Sequence, residues 1–256
     1  MYFFIPSLLR IVATLLIFIF HFQGLYGLDN TNIDFLAICI FCFLSGFLAY
    51  PIEGAKLQWF FKKYIQIMAP FWTVYIGVVC INLFIQYKGQ DLISFIVTFF
   101  FGGLFIVDPL YVISWFITFI LVLYLMLAVC TSSESIYINL MYGFLSACCY
   151  YFFVKQSFFY LAFFVVGCIA KNSTSFSSIL KMDYMPTVNV NLPLGVLQDR
   201  CYSFFLIHGC VLLFFVKMID LRPSLCFIFS LVITSFLSHY HYLFSKNIYM
   251  LIIKGK

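Results

Sequence analysis

Apolar residues in this chain gather into long runs separated by short polar connections, with little of the alternating or half-apolar patterning of a soluble fold. Such runs occupy residues 3–22, 33–50, 65–85, 92–107, 111–130, 136–154, 158–170, 201–219 and 224–244. A segment apolar on all sides, long enough to approach the roughly 30 Å of a hydrocarbon layer, reads as a transmembrane helix. Only a helix or a closed barrel satisfies its backbone polar groups in lipid. The pattern predicts an all-α protein, a polytopic transmembrane helical bundle of about nine helices, with eight to ten allowed because the 92–107 run is short. The whole chain, 1–256, reads as one integral-membrane domain without a fixed-period repeat. One polar stretch, 171–200, breaks the pattern with NSTSFSS, Lys181, Asp183, Pro186, Pro193, Asp199 and Arg200. It reads as a loop whose later part forms an interfacial or re-entrant segment.

Composition agrees. Hydrophobic residues make up 65% of the chain and charged residues 9%, against about 25% charged in a soluble domain. The net charge of +5 reflects lysines in the connections. The second connection holds Lys56, Lys62 and Lys63, whereas the first holds Asp29 and Asp34 and no basic residue. The positive-inside rule therefore predicts a cytoplasmic N-terminus in a multi-pass protein of the cytoplasmic (inner) membrane. Nine crossings would put Lys246, Lys254 and Lys256 outside, against that rule, so the expected count is open by one. No basic stripe with interleaved aromatics lies in a polar context; membrane lipids are the expected partners and nucleic acid is not. Residues 1–9 lack a basic n-region, and no small-residue cleavage site follows, so the first run is expected to be a span rather than a cleaved signal. The ten cysteines, Cys39 and Cys42 among them, are scattered along apolar runs. They read as small packing residues, with no metal site expected.

The usual motifs of soluble enzymes (GxSxG, a glycine-rich phosphate loop, HExxH, an EF-hand) do not occur. Candidate chemistry lies in polar residues embedded in the apolar runs. Arg10 and His21 are eleven residues apart in the first run, which returns them to within about 20° of one another on a helix, with Thr14 between them on nearly the same stripe. The chain has only three arginines and four histidines. Charge near a bilayer centre is unfavourable by roughly 2.5–3.5 kcal/mol on insertion scales, so this pair marks a candidate site. The alternatives are an interfacial histidine at the outer helix end and an arginine snorkelling to the inner surface. Ser45 and Gly46 interrupt the second run, where Gly46 suits the close approach of a helix or a ligand. Lys62 and Lys63 suit either phosphates or anionic headgroups. Trp115 fits an interfacial aromatic belt. Ser203 and His208 are about 140° apart on their helix, and His208 reads equally as a core histidine. His239 and His241 point to different sides of theirs.

Taken in order, these segments resemble the acyltransferase 3 family of integral-membrane acyltransferases, which often O-acetylate bacterial cell-surface sugars. The matching elements are Arg10 and His21; Ser45, Gly46 and Phe47; Lys62, Lys63 and Pro70; Trp115 and Phe116; and Leu194–Gly195, Tyr202–Ser203 and Ile207–His208. The chain departs from the family's pattern where Gln66 aligns with an arginine, where FSKN replaces an acidic, proline-containing closing motif, and in a shorter stretch before LPLG.

The resemblance implies transfer of an acetyl or other short acyl group from acyl-coenzyme A, acetyl-CoA above all, to a hydroxyl of a glycan or lipid-linked glycan. It implies His21 and Arg10 as catalytic residues, with His21 as general base or acyl carrier. Lys62, Lys63 and Arg10 would bind the coenzyme, and Ser45, Trp115 and His208 the substrates. No cofactor is expected to be permanently bound. Arg10 and His21 lie roughly 16 Å apart along the helix, which suggests two points on one acyl path. A glycan transporter or flippase, and an inactive remnant of the family, are the alternative readings.

Overall fold

In the computed structural model the described residues are 4–28, 32–49, 52, 55–85, 89, 91–103, 110–111, 113–130, 157–172, 191–219 and 221–254. They form eight α-helices: α1 Phe4–Leu25, α2 Ile33–Ala49, α3 Lys56–Ile85, α4 Leu92–Phe101, α5 Ser114–Cys130, α6 Ser157–Asn172, α7 Asn191–Phe214 and α8 Pro223–Lys254. A π-helical turn, Phe215–Ile219, extends α7. No strand occurs among the described residues. Among the described residues, four segments are long and apolar enough by themselves to cross a membrane: Ile5–Leu25, Lys56–Leu83, Asp199–Ile219 and Pro223–Ile253. Shorter apolar helices accompany them. Their outward faces carry large apolar side chains such as Leu36, Ile228 and Phe236, each more than half exposed. In water these would form an extensive apolar surface; in a bilayer they meet lipid. The chain is thus a multi-pass membrane protein. The predicted run at 136–154 and residues 173–190 of the polar stretch lie outside the described residues.

Three helices run far past their predicted bounds, by about two or three turns each. α3 begins at Lys56 rather than 65, so Lys62 and Lys63 sit in its first turns. α7 begins at Asn191 rather than 201. Pro193 occupies its first turn, where a missing N–H breaks no intrahelical bond. α8 reaches Lys254, since no glycine or proline interrupts SKNIYMLIIK. At 1.5 Å per residue α3 and α8 are roughly 45 Å and 48 Å long, more than a hydrocarbon layer requires.

Contacts divide the chain into two compact units. Unit one comprises Met1–Lys56 and Met126–Phe205. Here Thr14 bonds the Cys201 thiol and the ring of Phe18 meets that of Phe204 at 5.8 Å, so α1 and α7 run the same way. α2 returns antiparallel to α1. α6 runs parallel to α2: the Phe35 ring lies 5.6 Å from that of Tyr160, and the Lys171 ammonium lies 4.9 Å from the Phe47 ring. α2 and α6 cross at two glycines. A Cβ on Gly46 would fall 3.0 Å from the Phe164 carbonyl carbon and closer still to its oxygen, and one on Gly167 would meet the Phe43 carbonyl in the same way. Without a hydrophobic drive between helices in lipid, such close backbone approach and its dispersion contacts hold the pair.

Unit two comprises Leu57–Leu125 and Leu206–Lys256. Its short helix α4 is capped at both ends. The Asp91 side chain accepts from the Ser94 amide at the N-terminus. At the C-terminus Gly102, at φ 79°, donates to the Thr98 carbonyl, while Trp72 Nε1 and Tyr64 OH of α3 donate to the carbonyls of Phe99 and Phe100 at 2.6 Å and 2.8 Å. These are the carbonyls that a helix end leaves orphaned, and in an apolar setting an unsatisfied one costs several kcal/mol. Ten residues cover only about 15 Å. The indole and phenol of α3 are what allow so short an apolar helix to end where it does.

Candidate functional site

The predicted site residues are shared between the units: Arg10, His21 and Ser45 belong to unit one, and Lys62, Lys63, Trp115 and His208 to unit two.

α1 carries the stripe that the sequence predicts. Thr14 is buried, and its hydroxyl donates to the Arg10 carbonyl at 2.8 Å, the back-bond a hydroxyl makes within an apolar helix. Arg10 and Asp199 both act electrostatically on Cys201, which the Thr14 hydroxyl bonds. The N-terminal end of the stripe is therefore a cluster of guanidinium, hydroxyl, thiol and carboxylate. A carboxylate near an arginine lowers the cost of keeping that charge in an apolar surround.

The other end is built differently. α1 closes at Gly27, φ 64°, with Leu28 N–H donating to the Gln23 carbonyl and Gly27 N–H to that of Gly24. These two bonds form a Schellman cap, which suits a glycine in the left-handed region. The cap turns the chain so that α2 descends beside α1, bringing Asp34 within electrostatic reach of half-buried His21. Asp34 also acts on the Tyr160 hydroxyl of α6. Imidazole, carboxylate and phenol thus gather at one end of unit one. A carboxylate within electrostatic reach of a histidine has the sign that complements an imidazolium.

Ser45 is half-exposed on α2. Its neighbours Gly46 and Phe47 are taken up by packing, the glycine at the α6 crossing and the ring against Ala170 and Ile5. In unit two, Lys62 is exposed, and the Lys63 ammonium lies 5.9 Å from the Tyr124 ring centroid, a cation–π distance. Trp115 packs edge-on to Phe116 at 5.8 Å. His208 is almost wholly buried, as is Ser203 in unit one. His241 of α8 joins a polar knot at the proline of α3: its Nε2 is 2.6 Å from Thr73 Oγ1, 3.1 Å from the Pro70 carbonyl oxygen and 3.3 Å from Ser245 Oγ. Among the described residues no three His, Cys, Asp or Glu side chains are placed to share a metal ion.

Asp34, Asp199, Cys201 and Tyr160 are the members of these clusters that sequence reasoning missed. For Asp34 a signal exists. A short connection forces neighbouring helices antiparallel, so residues equidistant from its centre meet, and 21 and 34 are nearly equidistant from Gly27–Leu28. Asp199, Cys201 and Tyr160 reach their partners through non-sequential packing, which no local pattern reports. Compared with protein-family models, curated proteins and solved structures, the chain matches none.

Proposed function

We propose that the chain is a membrane O-acyltransferase that moves an acetyl or other short acyl group from acyl-coenzyme A to a sugar hydroxyl of a surface or exported polysaccharide. The observation that carries the reading is the α1 stripe: Arg10 and His21 on one face, with the Asp34 carboxylate brought to His21 by the α1–α2 turn. His21 accepts the proton of the acceptor hydroxyl as its oxygen attacks the thioester carbonyl. Coenzyme A leaves as the thiolate and takes up a proton. Asp34 holds the imidazole and stabilises its charged form; a positioned base of this kind contributes roughly 10²–10⁴-fold.

Arg10 orients the donor and stabilises negative charge developing on it. Lys62 and Lys63 meet the coenzyme's phosphates at the cytoplasmic face. Ser45, Trp115 and His208 contact the substrates. The chain sits in the cytoplasmic membrane as a bundle of about nine crossings, N-terminus inside. The order of motifs shared with the acyltransferase 3 family supports the assignment.

The test is mass spectrometry of acetate on the surface glycan of cells carrying wild type, His21→Ala or Asp34→Asn. His21→Ala is expected to abolish acetylation and Asp34→Asn to reduce it, with glycan export intact. Acetylation unchanged by His21→Ala would refute the catalytic role. Loss of export with acetylation preserved on the remaining glycan would favour a transporter.

A further inference from the structure

Unit two contains a groove of about 370 Å³ that none of the preceding chemistry uses. Its size lies within the roughly 300–1,000 Å³ of ligand pockets. Val78, Ile81 and Asn82 of α3 line it together with Leu213 and Phe214 of α7 and Lys217 of the π-turn. Among the described residues that line it, Lys217 carries the only ammonium, guanidinium or carboxylate. π-turns recur at functional sites because the widened turn re-aims the side chains it carries; this one, Phe215–Ile219, holds Lys217 and is followed by a Leu221 N–H bond to the Phe215 carbonyl. Ile81, Leu213, Phe214 and Met218 are exposed, so the groove opens on a surface that lipid covers.

An apolar trough open to the bilayer with one ammonium in its lining matches one kind of occupant. We propose that the groove binds an anionic phospholipid, an acyl chain lying along Val78, Ile81, Leu213 and Phe214 and the headgroup phosphate meeting Lys217. Asn82 supplies a polar contact for the glycerol ester oxygens. The occupant arrives by lateral diffusion through the membrane, which explains why the wall is apolar while the single charge is cationic. A zwitterionic lipid satisfies the trough but places an ammonium of its own near Lys217.

The experiment is native mass spectrometry of the full chain released from mild detergent after incubation with equal phosphatidylglycerol and phosphatidylcholine. One lysine at a membrane surface contributes about a fivefold preference for anionic lipid. Wild type is expected to retain phosphatidylglycerol over phosphatidylcholine by about that factor. Lys217→Gln should equalise the two lipids, and Lys246→Gln on α8 should leave the preference in place. Val78→Trp should lower retention of both by filling the trough, and inorganic phosphate should displace neither. A preference that survives Lys217→Gln, which alters an exposed side chain and leaves the core intact, overturns the proposal. Displacement by inorganic phosphate also overturns it, since the acyl chain would then contribute nothing.

Discussion

Replacing either glycine at the α2–α6 crossing with alanine tests what holds unit one together. A methyl on Gly46 would stand 3.0 Å from the Phe164 carbonyl carbon and 3.2 Å from Cys168 Sγ, and one on Gly167 would stand 2.9 Å from the Phe47 nitrogen. Ordinary contact begins near 3.4 Å. Because the nearest obstacles are the Phe164 and Phe43 carbonyls, backbone atoms that no rotamer change can move, the helices must part by about an ångström. A gap of that size forfeits a quarter to a half of each contact's dispersion well along the crossing. Overpacking of a tight interior costs roughly 1–3 kcal/mol, and that is the loss expected for each single variant.

The two substitutions should not add. Once Gly46→Ala has parted the helices, Gly167→Ala finds much of its space already open, so the double variant should lose less than the sum. Gly77→Ala is the control: nothing lies within 4 Å of its Cβ position, and helix propensity favours alanine by up to about 1 kcal/mol. Purified chain titrated with SDS in mixed micelles and followed by circular dichroism reads all four variants. Gly46→Ala and Gly167→Ala unfolding at the same SDS fraction as Gly77→Ala would show that the crossing does not depend on close approach. Full additivity of the pair would show that the two glycines are not relieved by a shared displacement.

The knot at Pro70 gives a second expectation. His241→Leu removes the imidazole bonded to Thr73 and the Pro70 carbonyl, with a loss of about 1–3 kcal/mol in the same titration. Thr73→Val should add little to it, because both act on one network. A third concerns pH. The Ser94 amide, and then its hydroxyl, hold the Asp91 carboxyl below its ordinary 3.8. The cap's contribution is therefore present above that value and fades as pH falls through the lowered folded value. Hydrogen exchange of the first amides of α4, corrected for intrinsic rates between about pH 6 and pH 2, should show this loosening. Asp91→Asn, which caps equally well without titrating, should remove it.

The sequence by itself determined the class of the protein and much of its linear layout. Unbroken apolar runs about as long as a hydrocarbon layer is thick, in a chain with only 9% charge, read as helices in lipid, and the stripe of Arg10, Thr14 and His21 follows from 3.6-residue periodicity. Gly46 was legible as a point of close approach, though not what approaches it. Helix bounds were less legible, since polar residues such as Lys62, Lys63, Asp199 and Arg200 continue a helix past the apolar window that marks it.

Tertiary structure alone decided the company each polar residue keeps. It places α6 against Gly46, Asp199 in the cluster of Arg10, Tyr160 near Asp34, and Trp72 and Tyr64 on the last carbonyls of α4. The reason is physical. Helices formed by the same apolar signal look alike to one another along the chain. Which pair fits is decided by small residues, orphaned carbonyls and the few charges that must find partners, all of them set by contacts between residues far apart in sequence.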